Sequence, residues 1–321
     1  MANPSEINEQ IKVPEREMER VGCLLCGSIE MHNVCKAQDL NYGVPGNFLI
    51  NKCIACNFCY LSPRFTLKNI IKAYPEKYTR DYIDGLLTDE TMLAARLKFL
   101  KKLSKPANLI LDVGCSYGDF LDLVKKNGFN VLGIEPGESS KEAKKKIPGK
   151  IFDMPVRDAD IAYGTVDVVT LWGVIEHLYT PLEDIERLFL FLKPGGKIVI
   201  ETPNFDTWES KLWGKYWYAL EPPRHVGFFS IKTALKLLED IGFEVLSVNA
   251  EPRSVWMEVS FIHFMKSRKI FSGFLGKKLI AVFNSLFSKL LFKLLANFFC
   301  AFGQGGDIVI VARKPRDITC K

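Results

Sequence analysis

Two sets of residues in this chain have types and spacings that could do chemistry. Cys23 and Cys26 are followed by Gly27, and Cys53 and Cys56 by Asn57. Two C-x-x-C pairs, each ended by a residue that tolerates left-handed backbone, match the two knuckles of a ribbon in which four thiolates close a tetrahedral zinc site. The metal then supplies folding energy that so small a module cannot draw from a core. A thioredoxin-like redox role needs one C-x-x-C at a helix start, not two knuckles. Cys59 lies in the apolar run Phe58 to Leu61 and reads as a small core residue, while Cys35 could enter a different ligand set.

The second set lies in LILDVGCSYGDFLDLVKKNGFNVLGIE, Leu109 to Glu135. A β-type run from Leu109 to Val113 breaks at Gly114, and an amphipathic helix with Phe120, Leu121 and Val124 on one face begins near Gly118. A second apolar run, Val131 to Ile134, ends in Glu135. This is the first half of a Rossmann-type nucleotide unit: the glycines let backbone amides approach a ligand, and a carboxylate about 20 residues on can accept both hydroxyls of a ribose. The ligand class is therefore something with an adenosine ribose. A dinucleotide would want G-x-G-x-x-G, but Ser116 stands where the second glycine belongs, and no GK[ST] follows for a P-loop.

With those residues in place, the loop resembles motif I of the S-adenosylmethionine-dependent methyltransferases with a Rossmann-like fold, whose usual form is LDxGCGxG followed by an acid ending the second strand. It departs at Ser116 and Tyr117. Further phrases carry the same resemblance. CIACNFCYLSPRFT, Cys53 to Thr66, is similar to the line that ends the N-terminal ribbon in a large bacterial group of these enzymes, and Tyr74, Tyr78 and Tyr82 stand where that group has a tyrosine-rich helix near the cofactor. VIEHL, Val174 to Leu178, resembles a signature after strand four in the ribbon-bearing and ubiquinone-biosynthesis-like methyltransferases; LKPGGKIVI, Leu192 to Ile200, is a phrase of the wider family.

The resemblance implies a cofactor site made of Asp112, Gly114, Cys115, Gly118 and Glu135, with Phe152 and Asp153 toward adenine, Trp172 and Gly173 toward the methionine part, and Tyr78 beside it. Glu221 to Ser230, EPPRHVGFFS, resembles the line that opens the next helix in the group. In related sugar C-methyltransferases this point holds a Tyr/His/Glu/His cluster that removes a substrate proton, of which only His225 survives here. His225 is thus the first candidate base, and His177 the second; the alternatives are a histidine that holds a lid, and a Glu176–His177 pair that fixes its own loop.

The elements that must position these residues follow in chain order. Residues 1–20 read as a charged tail, 21–66 as the zinc ribbon, 67–105 as a helical segment over the cofactor, 106–250 as the methyltransferase domain, 251–303 as a helical insertion, and 304–321 as the last strand and tail. The fold expected is α/β: a Rossmann-like, seven-stranded, mostly parallel sheet, with the ribbon before it and the insertion ahead of the last strand. Asp167 to Trp172 is a continuous apolar run suited to a strand buried on both faces. Pro203 to Pro223 holds Phe205, Trp208, Trp213, Tyr216, Trp217 and Tyr218, large rings that suit either a substrate cover or a packed lid. Leu279 to Phe302 is apolar round most of its circumference, and three readings stay open for it: a cap over those rings, a peripheral membrane contact through 277–302, or a homodimer face.

At 321 residues with 48% apolar and 25% charged residues, the composition is that of a globular protein rather than a disordered one. The net charge of +6 is compatible with an acidic substrate, nucleic acid or an anionic membrane and selects none of them. The N-terminus has no apolar h-region, and the nine cysteines then read as reduced thiols or metal ligands in a cytoplasmic protein. The reaction expected is methyl transfer from S-adenosylmethionine, with a sugar, glycan or lipid-linked precursor as O-acceptor. C-methylation of a sugar is one alternative. A nucleic-acid methyltransferase is another, disfavoured because Leu171-Trp172-Gly173-Val174 stands where the amino-methylating enzymes carry [DN]-P-P-[FYW]. A metal-stabilised interaction module on an inactive fold is the non-enzyme alternative.

Overall fold

The computed structural model describes residues 15–75, 78, 89–268 and 286–316. The chain divides into two compact units, one of residues 1–79, 203–233 and 249–308, the other of 80–202, 234–248 and 309–321.

The first unit is built on short strands near the N-terminus: β1 (Met18–Glu19), β2 (Met31–Ala37), β3 (Phe48–Cys53), β4 (Cys59–Leu61) and β5 (Arg64–Phe65). β1 and β5 pair with each other, while β2, β3 and β4 form an antiparallel sheet. A fourth strand of that sheet comes from far along the chain, Gly227 and Phe228 pairing with Tyr60 and Cys59. Its core joins Phe48, Ile50, Leu61 and Phe65 to Trp217, Leu220 and Phe228, so residues from beyond Pro203 complete the apolar core that the ribbon strands bury. The ribbon thus packs as part of a larger body. Burial of such rings is worth roughly 1.5 to 3 kcal/mol each, which short strands alone could not muster.

The second unit contains the seven-stranded sheet. Taken along the chain, β6 is Leu109–Val113, β7 Asn130–Ile134, β8 Ile151–Phe152, β9 Val166–Trp172, β10 Leu192–Pro203, β11 the Gly227–Phe228 strand above, β12 Glu244–Glu251 and β13 Asp307–Arg313. The sheet order is β12-β13-β10-β9-β6-β7-β8, with β6, β7, β8, β9 and β10 paired parallel. Strands this deep in a parallel sheet are covered on both faces, which is why β9 reads as an uninterrupted apolar run whose Val168, Val169 and Leu171 are buried. The chain reverses its direction of winding between β6 and β9, and the carboxyl ends of strands at such a switch point form the crevice where open α/β sheets take ligands.

Helices α1 (Glu90–Leu103), α2 (Asp119–Lys126), α3 (Ser140–Lys146) and α4 (Pro181–Phe191) lie in this unit. Leu97 and Leu100 of α1 join Phe120, Leu121 and Val124 of α2 in one apolar cluster with Ile110, Val131 and Val168 of the strands. Asp89 caps α1, its Oδ1 accepting the Met92 amide at 2.7 Å. The remaining helices are α5 (Trp208–Trp213), α6 (Ile231–Ile241), α7 (Ser254–Ser267) and α8 (Leu286–Cys300). α5, α7 and α8 pack together in the first unit, Trp213 meeting Phe261 and Phe264, and Trp208 meeting Phe299 at 3.9 Å between ring centroids. Of the long apolar segment 279–302 expected from sequence, the part before Leu286 lies outside the described residues.

Candidate cofactor and metal sites

β6 ends in Val113 and the chain turns at Gly114, whose φ of +67° is costly for any residue with a Cβ; a Cβ there would also lie 2.5 Å from Val174 Cγ2. At the other end of the loop Gly118 takes φ +78° as it opens α2, and its added Cβ would press to 3.2 Å on the Ala143 backbone of α3. Between them Ser116 itself adopts φ +49°, a left-handed conformation that costs a non-glycine on the order of 1 kcal/mol or more. That conformation turns the Ser116 amide onto Glu135. The Ser116 N–H donates to Oε2 at 2.9 Å, and the Gly137 N–H donates to Oε1, also at 2.9 Å. Burial raises the Glu135 pKa above its ordinary value, and the two amides work against that shift.

Asp112, Cys115, Phe152, Asp153, Trp172 and Gly173, also singled out in sequence for this site, belong to the same unit as the loop, whereas Tyr78 belongs to the first unit. Asp112, 3% exposed, accepts the Thr170 hydroxyl at 2.6 Å, and burial pushes its pKa up to about 7. Cys115 is buried, and desolvation drives its pKa upward, so its thiol stays protonated. Phe152 ends β8, its carbonyl accepting the Glu135 amide at 2.9 Å. Asp153 follows it at the surface, ion-paired to Lys144 at 2.5 Å, which lowers its pKa. Trp172 sits at the carboxyl end of β9, edge-on to Phe99 and Phe120 at 6.2 and 5.9 Å, and Gly173 turns the chain with φ +67°. Glu176 is buried in the next turn and accepts the Thr202 hydroxyl at 2.9 Å; His177, beside it, is half-buried.

Residues not singled out in sequence also join this cluster. The Arg96 guanidinium of α1 lies 5.0 Å over the Trp172 ring and pairs with Glu201 at 3.3 Å, and Glu201 stands opposite Trp172 in the β9–β10 register. Their signal in the sequence is an acid ending the run KIVIE, just as Glu135 ends the run before it. Among the described residues, Trp172 Nε1 and Arg96 Nε are buried donors with no hydrogen-bond partner.

In the first unit the four knuckle cysteines converge. Cys23 Sγ lies 3.4 Å from Cys56 Sγ and Cys26 Sγ 3.5 Å from Cys53 Sγ, with all four sulfurs within 4.8 Å of one another. Tetrahedral zinc with Zn–S bonds of about 2.3 Å needs sulfurs about 3.8 Å apart, so this donor set fits that metal. Each knuckle closes through an amide, Gly27 N–H to the Cys23 carbonyl at 2.8 Å and Asn57 N–H to the Cys53 carbonyl at 3.0 Å, and Gly27 and Asn57 take φ of +72° and +63°. Cys35 and Cys59 stand outside the group, Cys59 buried in the apolar core.

His225 also belongs to the first unit, and is buried. Its Nδ1 donates to the Ala219 carbonyl at 2.9 Å, and desolvation holds its pKa down to about 3, so the ring is neutral at cellular pH. Nε2 lies 3.5 Å from Glu221 Oε2. Glu221, with φ +38°, also accepts Arg224 Nε at 3.0 Å. The Arg224 side chain is wholly buried. It donates to both carboxylate oxygens of Asp39 at 2.9 Å and to the Ala73 carbonyl at 2.8 Å, under the rings of Tyr42 and Tyr78. Tyr78 therefore packs against Tyr42 and Tyr74, 5.1 Å from each, around a buried cation; Tyr82 lies outside the described residues. The Asp39–Arg224 pair escaped the sequence reading because 185 residues separate its members.

Comparison with known proteins agrees with the sheet and its loop. A probable S-adenosylmethionine-dependent methyltransferase of Mycolicibacterium smegmatis is 29% identical over 147 residues, 42% of this chain and 52% of that protein. A ubiquinone biosynthesis O-methyltransferase of Vibrio parahaemolyticus is 31% identical over 106 residues, 30% of this chain and 43% of that protein. The chain thus spans about half the length of the curated relatives it matches. Among solved structures, a SAM-dependent methyltransferase from Archaeoglobus fulgidus superposes with a TM-score of 0.50 at 20% identity, covering 75% of this chain and all of that one, a likeness of fold. The profile of the methyltransferase domain family matches residues 86–248. That match takes in the glycine loop, Glu135 and the strands that carry them, and with it the chain belongs to the class I S-adenosylmethionine-dependent methyltransferase family.

Proposed function

We propose that this protein is an S-adenosylmethionine-dependent O-methyltransferase whose acceptor is a hydroxyl of a sugar, a glycan or a lipid-linked precursor. The observation that carries the reading is the loop from Gly114 to Gly118 folded onto Glu135, with backbone amides already directed at the carboxylate. Bound S-adenosylmethionine supplies an electrophilic methyl on a sulfonium, passed in line to the acceptor oxygen, with S-adenosylhomocysteine and the hydroxyl proton as the other products. In this reading Glu135 accepts the ribose hydroxyls, Phe152 and Asp153 face adenine, and Asp112, Gly114, Cys115 and Gly118 shape the floor. The partnerless indole N–H of Trp172, next to Gly173, suits an acceptor on the methionine part. O-methylation rests on the similarity to the ubiquinone biosynthesis O-methyltransferase of Vibrio parahaemolyticus.

Isothermal titration with S-adenosylhomocysteine tests the cofactor half. Glu135→Ala is expected to weaken binding by about 1.5 to 3 kcal/mol, roughly 10- to 150-fold, the scale of hydrogen bonds to a charged group. Equal affinity in variant and wild type removes Glu135 from the ribose site.

For the proton, His225 is the proposed base and His177 the alternative. Burial opposes protonation of this ring, and the Glu221 carboxylate, with Oε2 3.5 Å from Nε2, is the anion that would share a proton taken up there. His225→Ala is expected to lower turnover about 100-fold while leaving S-adenosylhomocysteine affinity near its wild-type value. Full activity of that variant on an identified acceptor transfers the role to His177 or leaves alignment alone. The acceptor itself is sought by mass spectrometry of glycans and lipids from cells with and without the gene, where a 14 Da loss confined to RNA defeats the substrate class.

The four knuckle cysteines, Cys23, Cys26, Cys53 and Cys56, are assigned to a structural zinc. With every ligand position taken by a thiolate, such a site is closed and holds the fold rather than the reaction.

A further inference from the structure

From Val259 to Gly306 the chain contains no Asp or Glu, yet it holds Lys266, Arg268, Lys269, Lys277, Lys278, Lys289 and Lys293. Setting these seven aside leaves 36 Lys and Arg against 37 acids, so the entire positive excess of the protein resides in this stretch. The described part of it includes helix α8, which buries one side only. Phe292 and Ala296 pack with Met257 of α7, while Leu290, Leu291, Leu294, Phe298 and, just beyond the helix, Phe302 are between 44% and 68% exposed.

At 3.6 residues per turn Leu290, Leu294, Phe298 and Leu291 fall within about a third of the circumference, and Lys289 and Lys293 run along one border of that stripe. Both lysines are exposed, as are Lys266 and Arg268 at the end of α7. An apolar stripe with a basic margin and no acid matches the pattern of a helix that lies in the plane of a bilayer surface. No helix among the described residues is long and apolar enough to cross a membrane.

We propose that the α8 face, Leu290, Leu291, Leu294, Phe298 and Phe302 with Lys289 and Lys293, docks this protein onto an anionic lipid surface. The apolar side chains enter the headgroup boundary and the lysines meet lipid phosphates. The aliphatic Leu290, Leu291 and Leu294 at the middle of this face set it apart from a nucleic-acid surface, where stacking rings and phosphate-binding cations carry the contact. A second copy is the poorer occupant, because two segments carrying only positive charge repel one another. The inference stands apart from the identity of the acceptor.

The test is flotation of the full-length protein with vesicles of phosphatidylcholine alone and with roughly a third phosphatidylglycerol. Binding is expected to the anionic vesicles and to fall with salt. Leu294→Glu with Phe298→Glu, and separately Lys289→Glu with Lys293→Glu, are each expected to reduce it about tenfold or more. These side chains are exposed, so thermal unfolding and S-adenosylhomocysteine binding should match wild type and serve as folding controls. Equal flotation of wild type and both variants overturns the proposal, as does no binding of wild type to anionic vesicles. A wild-type dimer in sedimentation velocity that becomes monomeric in the Leu294→Glu, Phe298→Glu variant assigns the face to a second copy and overturns it too.

Discussion

Freshly prepared, reduced protein is expected to carry a single zinc ion per chain, and Cys23→Ser or Cys56→Ser to lose it together with the fold of the first unit. Structural zinc contributes on the order of 10 kcal/mol or more in small thiolate modules, comparable with the whole stability of a domain. The geometry leaves little alternative support at the knuckles. Each is a tight turn closed by two backbone hydrogen bonds, Gly27 N–H to the Cys23 carbonyl and Cys23 N–H to the Ser28 carbonyl in the first, Asn57 N–H to the Cys53 carbonyl and Cys53 N–H to the Phe58 carbonyl in the second. Elemental analysis and thermal melting before and after chelation measure this. The assignment fails if reduced protein contains no metal, or if Cys56→Ser melts with the wild-type profile.

Asp39→Ala is expected to destabilise the protein by about 3 to 5 kcal/mol, because it leaves the Arg224 guanidinium buried beside only Glu221. Asp39 and Arg224 side chains are both fully excluded from solvent. Asp39 does more than neutralise the arginine: its oxygens also accept the amides of Asn41, Tyr42 and Val44 at 3.1, 3.0 and 3.1 Å, so the turn after β2 hangs on the same carboxylate. Removing both charges together, as in Asp39→Leu with Arg224→Met, should cost less than the sum of the two single changes, since the guanidinium is no longer buried without Asp39, although Glu221 and the amides of Asn41, Tyr42 and Val44 still lose a partner. Urea unfolding of the single and double variants supplies the numbers. A loss below about 1 kcal/mol for Asp39→Ala would mean that water reaches the guanidinium. His225 follows Arg224 directly, so Asp39→Ala is also expected to lower turnover through displaced backbone, with S-adenosylhomocysteine affinity kept.

Sequence alone determined the parts that depend on local periodicity and on short spacing. Leu109 to Val113, a glycine turn and the helix after it follow from apolar pattern and backbone sterics, and the structure has them at Leu109–Val113 and Asp119–Lys126. The cysteine knuckles were legible for the same reason, because two residues fix the reach of a C-x-x-C turn and Gly27 and Asn57 permit its left-handed end. That the sheet is seven-stranded and mostly parallel followed from a family resemblance, not from periodicity.

Tertiary structure alone decided which distant segments meet. Nothing in the local pattern of Gly227 and Phe228 says that they complete a sheet with Tyr60 and Cys59, or that Trp217 fills the core under Phe48 and Ile50. The state of the titrating groups was likewise hidden. The sequence marks His225 as a candidate base but not the desolvation that holds its pKa down to about 3, and Asp112 as a motif carboxylate but not the burial that raises its pKa against the Thr170 hydrogen bond. Local spacing governs torsions and turns over a few residues, but dielectric, burial and partner choice are properties of the folded interior, set by what the chain brings there from a hundred or more residues away.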